Sequence, residues 1–149
     1  MLKKRHRSSH FLDRSNMSQN WVKDMNDMHA KFGVREVVSK MDANKLAEFL
    51  EFRIGCLQEE LDELKSARNG DDAVDALIDL SVFAIGTLDL FGIDAHMAWD
   101  RVYKANISKE VGIKEARPNP LGLPDLIKPE GWTAPTHKDN VGAFEKIYD

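Results

Sequence analysis

Between Ala73 and Phe91 only three residues carry charge, Asp75, Asp79 and Asp89, and apolar side chains occupy every side of a helical projection. A segment of this kind is stable as a helix only if other helices cover it. The chain must therefore supply partners. The best of them precedes it: after Asp42, a natural N-cap, the residues Leu46, Leu50, Ile54, Leu57, Leu61 and Leu64 form one continuous stripe at helical spacing. That helix is expected to run to about Arg68. Asn69-Gly70 marks a turn, Asp71 or Asp72 caps the uncharged helix, and Gly92 ends it. So short a turn implies that the two helices lie antiparallel.

Two further helices fit the pattern. Trp21, Met25, Met28 and Phe32 share a face before Gly33, and Trp99, Val102, Tyr103 and Asn106 share one after Asp94. Beyond Gly112 the prolines at 118, 120, 124, 129 and 135 break every period, and only Val141–Tyr148 has the makings of a short helix. No segment alternates convincingly as a strand. The expected fold is all-α: a basic, solvated tail over 1–19, a four-helix core over 20–111, and an irregular, Pro-rich tail over 112–149 that packs on the core or a neighbouring subunit. Gly55, inside the second helix, predicts a close helix crossing there.

Composition narrows the function. In 149 residues the net charge is −4, which gives no reason to expect nucleic acid as a partner. A single cysteine, Cys56, rules out an internal disulfide and a cysteine-built zinc site, and fits a reducing compartment. No apolar run approaches membrane-spanning length, and the basic first residues lack the apolar segment of a signal peptide. Met17 offers an alternative start.

The carboxylates are the chemical signal. Glu59, Glu60 and Glu63 form an acidic flank beside the leucine stripe, with Glu60 roughly 80° from its centre. Asp72, Asp75 and Asp79 share a face of the next helix with Phe83, Gly86 and Leu90. Antiparallel packing makes the two acidic segments neighbours near the turn. Ionised carboxylates gathered beside a core repel one another, and each costs several kcal/mol to desolvate. Of the local cations, Lys65 and Arg68 sit at the helix end. A divalent cation resolves the conflict, and an all-oxygen ligand set favours Mg²⁺ or Mn²⁺, ions that commonly work on phosphates. The competing reading is ordinary helix surface for the glutamates and an N-terminal dipole partner for Asp72.

"EELDE" followed by "DAVDALIDLSVFAIGTLDLFGID" resembles the all-α nucleoside triphosphate pyrophosphohydrolases of the MazG-like superfamily, and within it the phage and bacterial group related to phosphoribosyl-ATP pyrophosphohydrolase. Their pattern is Glu-Glu-x-x-Glu, a spacer, then Glu-x-x-Asp extended to a further Asp. "MNDMHAKFGV", "ANISK" and "KPEGWTAP" resemble the group's N-terminal helix, Asn-x-x-Lys element and Lys-Pro-x-Gly-Trp stretch, in the same order. Asp72 departs from the pattern, since Glu is usual there, and the spacer before it is short.

The resemblance implies hydrolysis of a (deoxy)nucleoside triphosphate to monophosphate and pyrophosphate. It implies Mg²⁺ (or Mn²⁺) held among Glu59, Glu60, Glu63, Asp72, Asp75 and Asp79, with Glu59 and Glu60 the catalytic pair. Asn106 and Lys109 are expected to contact substrate, and His29 to form a wall of the base pocket. A homodimer or homotetramer in a bacterial or phage-infected host cytoplasm is implied too. Candidate substrates are dUTP, dCTP and dGTP; phosphoribosyl-ATP fits the N-terminal helix and Pro-rich tail less well. The rival is a helical nucleotide-binding or assembly protein without turnover.

Overall fold

The computed structural model describes residues 14–116 and 119–148. Most of the basic N-terminal segment thus lies outside the described residues. Five helices follow in order: α1 Trp21–Lys31, α2 Val34–Ser39, α3 Ala43–Lys65, α4 Gly70–Leu90 and α5 Ala95–Ile107. Two three-residue strands, β1 Glu110–Gly112 and β2 Asp125–Ile127, pair antiparallel with Val111 opposite Leu126, and a 3₁₀ turn covers Gly142–Lys146.

The helix starts are set by local chemistry. Asn20, Asp42, Asn69 and Asp94 each accept a hydrogen bond from the backbone N–H three residues on, satisfying a donor the first turn leaves open. The cap of α4 is therefore Asn69, one residue before the Gly70 that sequence reading assigned to a turn; Asp71 and Asp72 fall inside the first turn, where their charge still favours the dipole.

α3 and α4 form the longest packed pair, and α1 covers a second side of α4. The closest crossing is at Gly86, where an added Cβ would meet Met25 Cε at 3.0 Å and His29 Cε1 at 3.3 Å. Gly55 has open space around its missing Cβ, so the crossing expected there is absent.

The core lies at the end of the bundle away from the α3–α4 turn. Val38, Leu46, Leu90 and Phe91 are buried together, with Phe49, Leu50, Ile93, Phe144 and Ile147 packed against them. α2, unseen in the sequence because six residues show barely one helical repeat, contributes Val34 and Val38 at i, i+4. The expected short C-terminal helix is the 3₁₀ turn, and it docks on the α4–α5 corner. Phe144 stacks on Phe91 with centroids 4.1 Å apart, Ala143 N–H donates to the Phe91 carbonyl at 2.8 Å, and the Asn140 side chain both accepts from Asp94 N and donates to Asp94 O. Gly142 sits at φ +50, and a Cβ there would collide with the Phe91 carbonyl oxygen. Phe144→Ala should lower stability by about 2 kcal/mol, less than a fully buried Phe because Phe144 is only half-buried. A denaturant melt with an unchanged m-value is the check.

Arg101 secures the same segment through two hydrogen bonds to Asp139, at 2.6 and 2.8 Å, and one to the Thr136 carbonyl. That guanidinium holds the Asp139 carboxyl down at about 2, from an ordinary 3.8. Because the folded value is depressed, the clasp contributes above pH about 4 and is lost as pH falls through about 2. Amide exchange of residues 137–144 should accelerate over that window in wild type, and Asp139→Asn should flatten the dependence.

α4 is not covered on all sides within one chain. α3 and α1 take two of its faces, and Val74 and Leu77 on the remaining one are 62% and 51% exposed. α5 turns through 119° relative to α4 and packs on it only sparsely, and Trp99, on the stripe expected to pack, is 76% exposed. Among the described residues no single helix is long and apolar enough to cross a membrane.

Candidate active site

The seam between α3 and α4 carries the acids. Glu60 lies on the α3 face that meets α4, and its carboxyl is pushed above the ordinary 4.5 first by burial, then by Glu63, then by Asp79 and Asp75. Four of the six candidate ligands thus share one electrostatic neighbourhood. Glu60 Oε2 is shut off from solvent and meets no N–H or O–H donor, and the one side chain within hydrogen-bonding reach of this carboxyl is another acid, Glu63. Shielding a carboxylate oxygen without a donor is costly, and a cation is the partner that would offset it.

Toward the turn, Glu63, Asp72 and Asp75 line a polar hollow of about 370 Å³ with Ser66, Ala67 and Arg68. Asp72 already has partners. Its Oδ2 accepts from Arg68 N at 3.2 Å and lies 3.5 Å from Arg68 Nε, which ties it to the helix end. Glu59 is exposed on the outer flank of α3, next to Glu60 in sequence and about 100° round the helix from it. Among the described residues no three acidic, histidine or cysteine side chains are already gathered around one point. The carboxylates line the seam as neighbours, and closing on an ion requires side-chain rotation.

The other expected site residues lie elsewhere. His29 is buried, with Nδ1 donating to Asp89 Oδ2 at 2.7 Å; Asn26 Nδ2 donates to Oδ1 at 3.2 Å, and Arg35 pairs with the same carboxylate. This hub ties α1 and α2 to the last turn of α4, at the opposite end of that helix from Asp75. Asp89, the one charge at that end of a mostly apolar helix, was the visible signal for it. Asn106 is exposed and borders a small hollow of about 130 Å³ with Trp99, Val102 and Tyr103. Lys109 Nζ lies 5.2 Å from the centre of the Trp132 ring, and Lys128 Nζ lies 5.1 Å from it. Trp132 Nε1 donates to the Ala105 carbonyl at 2.8 Å, which fastens the "KPEGW" loop to α5. Arg101 and Lys104, on the same helix, are ion-paired to Asp139 and Asp100.

A cation on the seam itself escaped the sequence reading. Arg53 precedes Glu60 by seven residues, two helical turns, and therefore shares its face. That spacing was the available signal.

Residues 25–106, more than half of the chain and including all six acids, match the model of a protein family described as phosphoribosyl-ATP pyrophosphohydrolase. No curated protein matches the chain.

Proposed function

We propose, from the premise that this chain belongs to the phosphoribosyl-ATP pyrophosphohydrolase family of the all-α MazG-like superfamily, that it hydrolyses a (deoxy)nucleoside triphosphate between the α- and β-phosphates. The family implies a pyrophosphohydrolase acting on a nucleotide-like substrate. The observation that carries the finer reading is Glu60: a shielded oxygen without a donor, pressed by three other carboxylates, calls for a hard cation, and such cations act on phosphates.

Glu60, Glu63, Asp75 and Asp79 hold Mg²⁺ (or Mn²⁺) in this reading, with Asp72 released from Arg68 if it joins them. When bound, the metal neutralises phosphate charge and lowers the pKa of a bound water. Glu59, on the outer flank, orients the attacking water and takes its proton. Glu60, next to Glu59 in sequence, contributes its carboxylate as a ligand at the catalytic centre. Lys109 supplies a point charge for phosphate and Asn106 a directional amide.

Asn106 and Lys109 lie beyond the 119° bend between α4 and α5, and in this reading they serve the acidic seam of a second copy. The exposed apolar side chains Val74 and Leu77 on α4, and Trp99 and Ile107 on α5, support a homodimer or homotetramer. The biological role in this reading is control of a nucleotide pool.

Pyrophosphate release from dUTP, dCTP, dGTP, the ribonucleotides and phosphoribosyl-ATP, each with Mg²⁺, Mn²⁺ or EDTA, tests the proposal. Metal-dependent turnover of at least one triphosphate is expected. Turnover of phosphoribosyl-ATP alone would return the chain to the substrate in its family's name, and binding without turnover would favour a nucleotide-binding protein.

A further inference from the structure

Among the described arginines, Arg35, Arg68 and Arg101 each hold a carboxylate. Arg14 lies exposed at the start of the described residues, and Arg53, half-buried in the helices, holds no carboxylate. Its guanidinium lies 5.2 Å from the centre of the Phe49 ring and 5.4 Å from that of Phe83, and its Nε is shut off from solvent with no hydrogen-bond acceptor. A half-buried guanidinium in this state has given up water without gaining an anion, a costly arrangement that a ligand would relieve.

Its position says which ligand. Phe83, Asp79 and Asp75 follow one another at i, i+4, i+8 on α4, and Arg53 faces Phe83 while Glu60 faces Asp79 and Asp75. The unpaired cation and the acids therefore lie in line along one seam, about 10 Å apart by helix rise. Contact with the Phe49 and Phe83 rings holds the guanidinium on this seam, one helical turn along α4 from Asp79. Seven residues of helix separate a site for a cation from a site for an anion, a spacing that suits a metal-bound polyphosphate laid along the groove.

We propose that Arg53 binds the terminal phosphate of the substrate, so that it grips the pyrophosphate that leaves. This inference rests on the pyrophosphohydrolase reading above and extends it to a residue which that reading does not use.

The test is calorimetric binding of inorganic pyrophosphate, with Mg²⁺ present, to the full chain and to Arg53→Met and Arg53→Gln. Met retains the packing against both rings and Gln retains a donor without charge; thermal melts show which variant is folded, and either suffices. Mn²⁺ binding alone is followed by electron paramagnetic resonance. Wild type is expected to bind pyrophosphate, and the variants to bind it at least tenfold more weakly with Mn²⁺ affinity unchanged. Equal pyrophosphate affinity in wild type and folded variants would overturn the proposal, as would an equal loss of Mn²⁺ affinity in the variants. If wild type turns over no nucleotide yet binds pyrophosphate through Arg53, the reaction proposed above fails and the anion site stands.

Discussion

Glu63→Gln and Asp75→Asn are each expected to reduce metal-dependent pyrophosphate release by about a thousandfold or more. The two residues reach the same polar hollow from opposite helices, so losing either charge would remove one of the proposed metal ligands. Several kcal/mol of transition-state charge stabilisation depend on a correctly held metal, and about 4 kcal/mol corresponds to three orders of magnitude. Glu60→Gln adds a second readout that needs no substrate. The folded-state carboxyl of Glu60 is raised, so its stabilising contribution is present below the unfolded value near 4.5 and is lost as pH rises through the raised one. At neutral pH without metal the ionised group works against the fold. Metal-free Glu60→Gln should therefore melt above wild type at pH 7, with the difference closing toward pH 4. Adding Mg²⁺ should raise the wild-type melt and leave the variant nearly unmoved.

Asp89→Ala is expected to cost about 3 kcal/mol, for a reason unrelated to catalysis. Asp89 is buried and accepts from His29 and Asn26 while pairing with Arg35. Removing it strands the His29 ring, itself buried, with its Nδ1–H facing apolar surroundings, and leaves Arg35 without its anion. Breaking such a pair from one side is strongly destabilising, although Arg35, partly exposed, can turn to solvent and soften the loss. In a chain of this size the melting temperature should fall by roughly 10 °C. Asp89→Asn, which keeps an acceptor, should cost less than half as much. A full loss of activity in Asp89→Asn with an unchanged melt would assign His29 a direct role at the substrate instead.

α1, α3 and α5 were legible because each repeats an apolar pattern over several turns, and α4 because a nearly charge-free run lies between Asn69-Gly70 and Gly92; its cap, Asn69, was not. The acidic seam was legible because carboxylates interrupting a leucine stripe and an uncharged helix have few structural uses. α2 and the β1–β2 pair were not legible, since six residues and three residues are too short for a period to show, and their places are set by packing on α4 and by the proline-rich return of the chain. Gly55 and Gly86 look alike in sequence; only the arrival of Met25 and His29 from α1 distinguishes the second. Arg53 carried its signal in plain spacing, seven residues before Glu60, but an arginine among leucines reads as a snorkelling surface residue until its missing partner is seen.

The exposed apolar faces of α4 and α5 share one cause. α4 lacks a neighbour over Val74 and Leu77, and α5 lacks one over Trp99, the gaps that the proposed second copy would fill.

The most direct test of the account is a phosphorus NMR time course of the purified chain with a hydrolysed triphosphate and Mg²⁺. The account predicts that the triphosphate resonances give way to equal amounts of nucleoside monophosphate and pyrophosphate, and that EDTA stops the conversion. Diphosphate with orthophosphate would place the cut at the wrong bond, and an unchanged spectrum across the nucleotide panel would contradict the account outright.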